Sequence, residues 1–115
     1  RRADMDILIA GGNAASRNAL ALALKSMLAL NIVGQAADEE TTMCLARSTL
    51  AQMIVLDEGF VDVTLNDLIE KLQQLESRPD VIVLSSQYEA QEAAQSAGAD
   101  GFVWKATSPR DLLVL

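Results

Sequence analysis

The sequence contains no histidine and only one cysteine, and these absences exclude several kinds of chemistry. Without histidine, the chain lacks the usual general base and the commonest metal ligand. A Ser–His or Cys–His nucleophile pair within the chain is therefore excluded, and we expect no enzyme activity. The single Cys44 cannot form an intrachain disulfide, which suits a reducing compartment. Because Cys44 lies in an apolar helical stretch, we predict that it is a buried packing residue.

Long hydrophobic runs and excess positive charge are also missing. No apolar run reaches the roughly 18 residues that a membrane span needs, and the richest stretch, Ala19 to Leu30, is interrupted by Lys25. The N-terminus has no signal-peptide pattern. The net charge is −7, so the phosphates of a nucleic acid would repel the domain. We therefore expect a soluble, cytoplasmic domain without direct nucleic-acid or membrane binding.

Short apolar segments alternate with helical patterns along the 115 residues, of which half are apolar. The predicted strands are 5–10, 31–36, 53–56, 81–84 and 101–104. The predicted helices are 14–30, 38–50, 61–75 and 89–96, with Asn13 capping the first and Gly98 closing the fourth. Ser108-Pro109 predicts the start of a fifth. This alternation indicates one α/β domain, a doubly wound parallel sheet with helices on both faces.

Short motifs at the ends of the predicted strands resemble those of the response-regulator receiver domain over nearly the whole chain. Residues 7–10 resemble the first receiver strand, and 32–38 the second strand and its exit. Residues 54–57 resemble the third strand and end in Asp57. Residues 81–85 resemble the fourth strand and end in Ser85. Residues 97–102, followed by Lys105, resemble the fifth. Each motif is weak alone, but their order and spacing make the resemblance specific.

The resemblance implies a flavodoxin-like sheet of order 2-1-3-4-5 and a role in two-component signal transduction. It assigns Asp57 as the phosphoacceptor, Ser85 as the signalling hydroxyl, and Phe102 and Lys105 as the switch aromatic and the conserved-type lysine. Residues 33–34 and 105–109 are similar to receivers that precede a LuxR-type helix-turn-helix output domain. We expect residues 1–115 to be one receiver-like domain whose last helix is truncated at Leu115, with an output domain beyond it.

The acidic pair that receivers carry after the first strand is replaced here by Gly11 and Gly12. Magnesium prefers oxygen ligands that include carboxylates, and glycine offers only its backbone. We therefore expect no cofactor, with weak or absent Mg²⁺ binding, and a phosphorylation-independent module. Without a metal, Asp57 needs another partner, and we predict an ion pair with Lys105 within about 4 Å. The adjacent Glu58 could contribute only if the strand has already ended there.

Two alternatives remain open. Asp57 could still accept a phosphoryl group with an unusual metal supply. The Gly11-Gly12-Asn13 stretch before a helix could instead cradle an anion in a small nucleotide-binding α/β domain, although the further glycine of the dinucleotide fingerprint is missing.

Aromatic residues are scarce, at 3%, and two of the four lie together in the last predicted strand. Phe102 and Trp104 share a face of that strand by period-two alternation. Trp104 is the only tryptophan, a residue type that is enriched at binding hot spots. It is therefore an interface candidate, and packing beneath a helix is the alternative. We expect a protein partner, or self-association as a dimer, through this face.

Overall fold

Strands and helices alternate along the chain in the computed structural model, which describes residues 5–26, 30–60, 62–87 and 89–105. The strands are β1 (Met5–Ala10), β2 (Leu30–Ala36), β3 (Met53–Leu56), β4 (Asp80–Ser85) and β5 (Gly101–Trp104). The described residues also form the helices α1 (Ala14–Lys25), α2 (Glu39–Thr49), α3 (Leu65–Gln73) and α4 (Ala90–Ser96). All strand pairs are parallel, in the order β2-β1-β3-β4-β5. The predicted fold class and strand order are confirmed.

The two faces of the sheet form two hydrophobic clusters because successive side chains of a strand point to opposite sides. One face presents the buried Leu8, Ile54 and Val83 to the core side chains of α2, α3 and α4. The opposite face presents Ile9 and Val55 to the core side chains of α1. The largely buried stretches 7–10, 53–56 and 81–84 of the central strands are therefore apolar, as expected for a parallel sheet that is covered on both sides.

Polar side chains fix where three of the helices begin. Asn13, Asp38 and Thr64 each accept a hydrogen bond from the backbone N–H three residues later. Such caps satisfy one of the free N–H groups of the first helical turn. The predicted cap at Asn13 is confirmed. Asn13 and Asp38 place the starts of α1 and α2 just beyond β1 and β2, whereas α3 begins only after the longer segment that follows β3.

Two predicted helices are longer than the observed ones. The helix predicted over 14–30 ends at Lys25, and Leu30 instead pairs with Met5 in the sheet. The helix predicted over 61–75 begins only at Leu65, because the Thr64 side chain caps it there. Apolar residues continue the helical spacing beyond both true ends, so periodicity alone overestimated the lengths.

The prediction that Cys44 is buried was wrong, since its side chain is exposed. On α2, the buried positions are Thr42, Met43 and Ala46, and Cys44 lies on the other side of the helix. Among the residues described, no helix has the length and apolar character to cross a membrane. The helix predicted from Ser108-Pro109 and its truncation at Leu115 lie outside the described residues.

Candidate functional site at the strand ends

The carboxyl ends of four neighbouring strands bring the predicted site residues to one edge of the sheet. Hydrogen bonding continues for one residue beyond the strands on both sides of the site. The Asp57 N–H donates to the Ala10 carbonyl oxygen at 2.7 Å, and the Lys105 N–H donates to the Ser85 carbonyl oxygen at 2.7 Å. These bonds fix the backbones from which Asp57 and Lys105 project. Open α/β sheets place their sites at this edge.

Asp57 is almost fully buried, and its carboxylate is surrounded by donors. The residue is 1% exposed. Its Oδ1 atom lies 2.7 Å from the Lys105 ammonium and accepts a hydrogen bond of 2.7 Å from the Glu58 backbone N–H. Its Oδ2 atom accepts a hydrogen bond of 2.7 Å from the Ser16 hydroxyl. The predicted ion pair between Asp57 and Lys105 is therefore confirmed.

The protonated form of Lys105 is stabilised by the two carboxylates beside it, those of Asp57 and Glu58. Burial acts to lower the pKa of Lys105, but the hydrogen bond and charge of Asp57, aided by the charge of Glu58, raise it above its ordinary value. The lysine therefore stays protonated at neutral pH. A charged partner of this kind is needed because a buried carboxylate without compensation is strongly unfavourable.

Glu58 is a site residue that the sequence did not assign. Strand β3 ends at Leu56, so the extended-strand alternation no longer applies, and the Glu58 carboxylate turns towards the end of β4. Its Oε1 atom accepts hydrogen bonds from the Ser85 hydroxyl at 2.9 Å and the Ser86 backbone N–H at 3.1 Å. Its Oε2 atom accepts one from the Ser86 hydroxyl at 2.8 Å and lies 3.5 Å from the Lys105 ammonium.

These contacts favour the ionised form of Glu58. Burial acts to raise the pKa of Glu58, but the hydrogen bonds from Ser86 and Ser85, together with the Lys105 charge, lower it below its ordinary value. Ser85 is itself buried, and its hydroxyl donates to Glu58 while accepting a hydrogen bond of 3.0 Å from the Gln87 N–H. The signalling hydroxyl predicted at Ser85 therefore contacts a carboxylate of its own chain.

Ser16 is the second site residue that was missed. It lies in the first turn of α1, which the Asn13 cap positions just above the end of β1. The sequence marked Ser16 only by its place in the stretch 11–16, which was interpreted through its two glycines and not through its hydroxyl group. Its contact with Asp57 depends on how closely α1 approaches β3, a tertiary distance that spacing along the chain does not give.

Gly11 and Gly12 lie against the segment that follows β3. A Cβ atom added at Gly11 would come within 2.7 Å of the Asp57 Cβ, and one added at Gly12 would come within 1.7 Å of the Gly59 carbonyl oxygen. The Gly12 N–H donates to the Glu58 carbonyl oxygen at 3.1 Å, and the Gly11 N–H to that of Ala36 at 2.9 Å. The backbone of residues 57–59 therefore occupies the space beside both glycines.

The same hydrogen bonds bear on the nucleotide-binding alternative. An anion cradle requires backbone N–H groups that are free to point at a phosphate. Those of Gly11 and Gly12 are both used within the chain. The observed geometry therefore explains the glycine pair by the close approach of Asp57 to Gly11 and of Gly59 to Gly12, and it gives no support to a pyrophosphate site.

Phe102 and Trp104 differ in their environments although they share one face of β5. Phe102 is partly buried and packs against the cluster formed with α2, α3 and α4. Trp104 is 45% exposed, and its indole Nε1–H donates to the Ser86 carbonyl oxygen at 3.2 Å. Of these two aromatic residues, Trp104 is the one that presents a large apolar surface to the outside.

Comparison with known proteins agrees with this arrangement of strand ends. The sequence model of the response-regulator receiver domain matches residues 7–115. The chain belongs to this family. No curated protein sequence matches it.

Solved structures of LuxR-family response regulators share the fold of this receiver domain. It superimposes on the receiver domain of NarL from Mycobacterium tuberculosis with a TM-score of 0.88 and 18% identity, covering 98% of this chain and 93% of that chain. For RcsB from Salmonella typhimurium the TM-score is 0.85 and the identity 19%, covering 98% of this chain and 58% of that chain. For a LuxR-family regulator from Staphylococcus aureus, the values are 0.85, 18%, 96% and 93%.

The donor set of this receiver domain does not fit a magnesium ion. Among residues 5–26, 30–60, 62–87 and 89–105, no three or more acidic, histidine or cysteine side chains are grouped so as to hold a metal. The Asp57 carboxylate is bound to three donors, and the Glu58 carboxylate is directed at Ser85 and Ser86. Magnesium needs oxygen ligands in near-octahedral geometry, and the ammonium of Lys105 lies where it would repel a cation.

Proposed function

We propose that this receiver domain transmits a signal through protein contacts without phosphorylation of Asp57. The observation that carries the proposal is the surroundings of the Asp57 carboxylate. It is 2% exposed at the side chain, paired with Lys105 at 2.7 Å, and hydrogen-bonded to Ser16 and to the Glu58 N–H. Phosphoryl transfer to a carboxylate needs an accessible carboxylate oxygen and a divalent metal ion to neutralise the transferring group. Neither requirement is favoured here.

The glycine pair supports the same proposal by a second argument. An acidic side chain at Gly11 or Gly12 would collide with the segment 57–59, so the segment occupies a position that an acidic pair would not permit. We infer that Mg²⁺ binding is weak or absent and that the domain uses no cofactor.

The direct test uses acetyl phosphate, with and without millimolar MgCl₂, and intact-mass spectrometry. We expect no mass increase of about 80 Da, the mass that one phosphoryl group adds, and no saturable Mg²⁺-dependent change in Trp104 fluorescence. A Mg²⁺-dependent phosphoryl adduct that Asp57→Asn abolishes would establish the alternative, a working phosphoacceptor.

We further propose that the face bearing Phe102 and Trp104 is where the domain associates with a protein partner, in the first place a second copy of itself. The exposed Trp104 indole supports this, because burying one large aromatic side chain contributes roughly 2–3 kcal/mol. Association would then be constitutive, since no phosphorylation event would switch it.

Sedimentation velocity across micromolar concentrations tests this surface. Wild type is expected to sediment as a dimer and Trp104→Ala to shift towards monomer. Leu22→Ala is the matched control, since Leu22 is 70% exposed and lies on α1. A wild-type domain that is monomeric throughout, or an equal shift in both variants, would contradict self-association through this face.

We propose that the domain acts in the cytoplasm and that its output is the control of transcription. The Staphylococcus aureus relative is a DNA-binding response regulator of the LuxR family, and the chain covers 58% of the RcsB chain. An acidic receiver of net charge −7 is itself poorly suited to contact DNA. We infer that it controls a separate DNA-binding domain, which DNA-binding assays with and without residues 1–115 would test.

A further inference from the structure

The Glu58 carboxylate lies in a nest of donors that is built for an oxyanion. Its two oxygens accept hydrogen bonds from the Ser85 hydroxyl, the Ser86 hydroxyl and the Ser86 N–H, at 2.8 to 3.1 Å. The Lys105 ammonium lies 3.5 Å away. Two hydroxyls, a backbone N–H and an ammonium form a donor set that binds phosphate or carboxylate through charge-assisted hydrogen bonds.

The ligand in this nest is part of the chain. Glu58 follows β3 directly, and its backbone is held on both sides: its N–H donates to the Asp57 Oδ1 and its carbonyl accepts from the Gly12 N–H. A tethered carboxylate has a high effective concentration at its site. A free anion would therefore compete poorly for the same donors while Glu58 is present.

Ser86 connects this nest to the exposed face of β5. Its N–H and hydroxyl donate to Glu58, while its carbonyl oxygen accepts the hydrogen bond from the Trp104 indole. Ser86 therefore contacts the carboxylate through its N–H and hydroxyl groups and the tryptophan through its carbonyl oxygen. A change in the occupancy of the nest would move or loosen the acceptor of the Trp104 indole.

We propose that Glu58 is a built-in oxyanion ligand that holds Ser85 and Ser86 in place and thereby sets the position of Trp104 on the association face. Glu58 would occupy permanently the donors that a transient phosphate would otherwise take. This inference rests on the proposed phosphorylation-independent function, and it assigns the mechanism by which the receiver is fixed in one state.

The test compares wild type with Glu58→Gln, which keeps the size of the side chain but not its charge, and with Glu58→Ala, which empties the nest. Hydrogen exchange of the segment containing Ser86 and the emission spectrum of Trp104 are measured. Hydrogen bonds to charged groups are worth more than neutral ones, so we expect about tenfold faster exchange at Ser86 in Glu58→Gln and a shifted Trp104 emission. Glu70→Gln removes the same charge from an exposed position of α3 and should leave both unchanged.

Inorganic phosphate then tests the class of ligand. Millimolar phosphate should slow Ser86 exchange and restore the Trp104 emission in Glu58→Ala, with no effect on wild type. Far-UV circular dichroism checks that each variant is folded. Unchanged Ser86 exchange and emission in both Glu58 variants, changes of equal size in Glu70→Gln, or no phosphate response in Glu58→Ala would overturn the assignment. Failure of the proposed function would be detected separately, as a phosphoryl adduct on Asp57 after wild type is treated with acetyl phosphate.

Discussion

Removal of the Lys105 charge is the sharpest test of how the buried Asp57 is stabilised. Lys105→Met keeps most of the length of the side chain and removes the ammonium that lies 2.7 Å from the Asp57 carboxylate. The carboxylate would remain at a position where its side chain is 2% exposed. The variant therefore leaves a buried charge without its counter-charge, which is one of the few mechanisms that give a large loss of stability.

The magnitude follows from the partners that remain. Breaking a buried ion pair by removing one member costs about 3–5 kcal/mol. Here the Lys105 side chain is 30% exposed, and Asp57 keeps its hydrogen bonds from Ser16 and from the Glu58 N–H. Solvent screening and these bonds reduce the loss, so we expect the free energy of unfolding to fall by about 2–3 kcal/mol.

Urea unfolding followed by far-UV circular dichroism measures this loss directly. Lys71→Met is the matched control, because Lys71 forms an ion pair with Glu39 but its side chain is 52% exposed, and exposed ion pairs contribute little to stability. In the Lys105→Met background, a second change of Asp57→Asn should recover at least about 1 kcal/mol, the usual size of coupling between contacting residues. A Lys105→Met loss no larger than that of Lys71→Met would refute the reasoning.

Three further predictions follow from contacts at or near the site. Gly12→Ala should lower the free energy of unfolding by more than about 2 kcal/mol, because its Cβ would meet backbone atoms of Gly59. Gly34→Ala should lose less, because its Cβ would meet only the side-chain ends of Leu45 and Leu8, and urea unfolding compares the two variants. The pKa of Glu58 is lowered in the folded state, so its contribution to stability is present above the unfolded pKa and is lost as the pH falls through the folded one. Glu58→Gln should therefore lose less stability than wild type as the pH falls below about 4.3, the ordinary pKa of glutamate. Cys44 should react with a thiol reagent in the native protein about as fast as in urea, since its side chain is exposed; strong native protection would contradict this.

The strands were the most predictable part of the fold. The segments 5–10, 53–56 and 101–104 were predicted with their observed bounds. Strand β3 and most of β1 are apolar because both faces of a parallel sheet are covered, and glycines mark two strand limits, since Gly11 follows β1 and Gly101 begins β5. The order of the strands came from the family resemblance, since no local property of a strand indicates its neighbours.

The helix ends were less predictable because they depend on tertiary contacts. Leu30 has the spacing of a helical residue, but its pairing with Met5 in the sheet fixes it in β2. Val63 lies within the range 61–75 that was predicted to be helical, yet it packs against the core from outside the helix, since the cap at Thr64 starts α3 at Leu65. In both places long-range packing decides between two conformations that the local sequence permits.

The site residues also divide into those that the sequence could assign and those that depend on tertiary contacts. Asp57 and Lys105 could be paired from their motif positions because each directly follows a strand, and the two strands end at the same edge of the sheet. Ser16 and Glu58 could not be assigned, because their roles depend on distances across the fold: the approach of α1 to β3, and the turn that β3 makes after Leu56.

Glu58 also bears on the proposed absence of an acidic metal pocket. Gly12 has no side chain, and the segment after β3 fills that space, with the Glu58 carbonyl accepting from the Gly12 N–H at 3.1 Å. This contact fixes the backbone from which the Glu58 side chain reaches Ser85 and Ser86. Any side chain at position 12 would push the segment away and withdraw the carboxylate from its donors. Gly12, which stands where the receiver resemblance implies an acidic residue, is therefore also the residue that allows the chain to place an anion of its own beside Lys105.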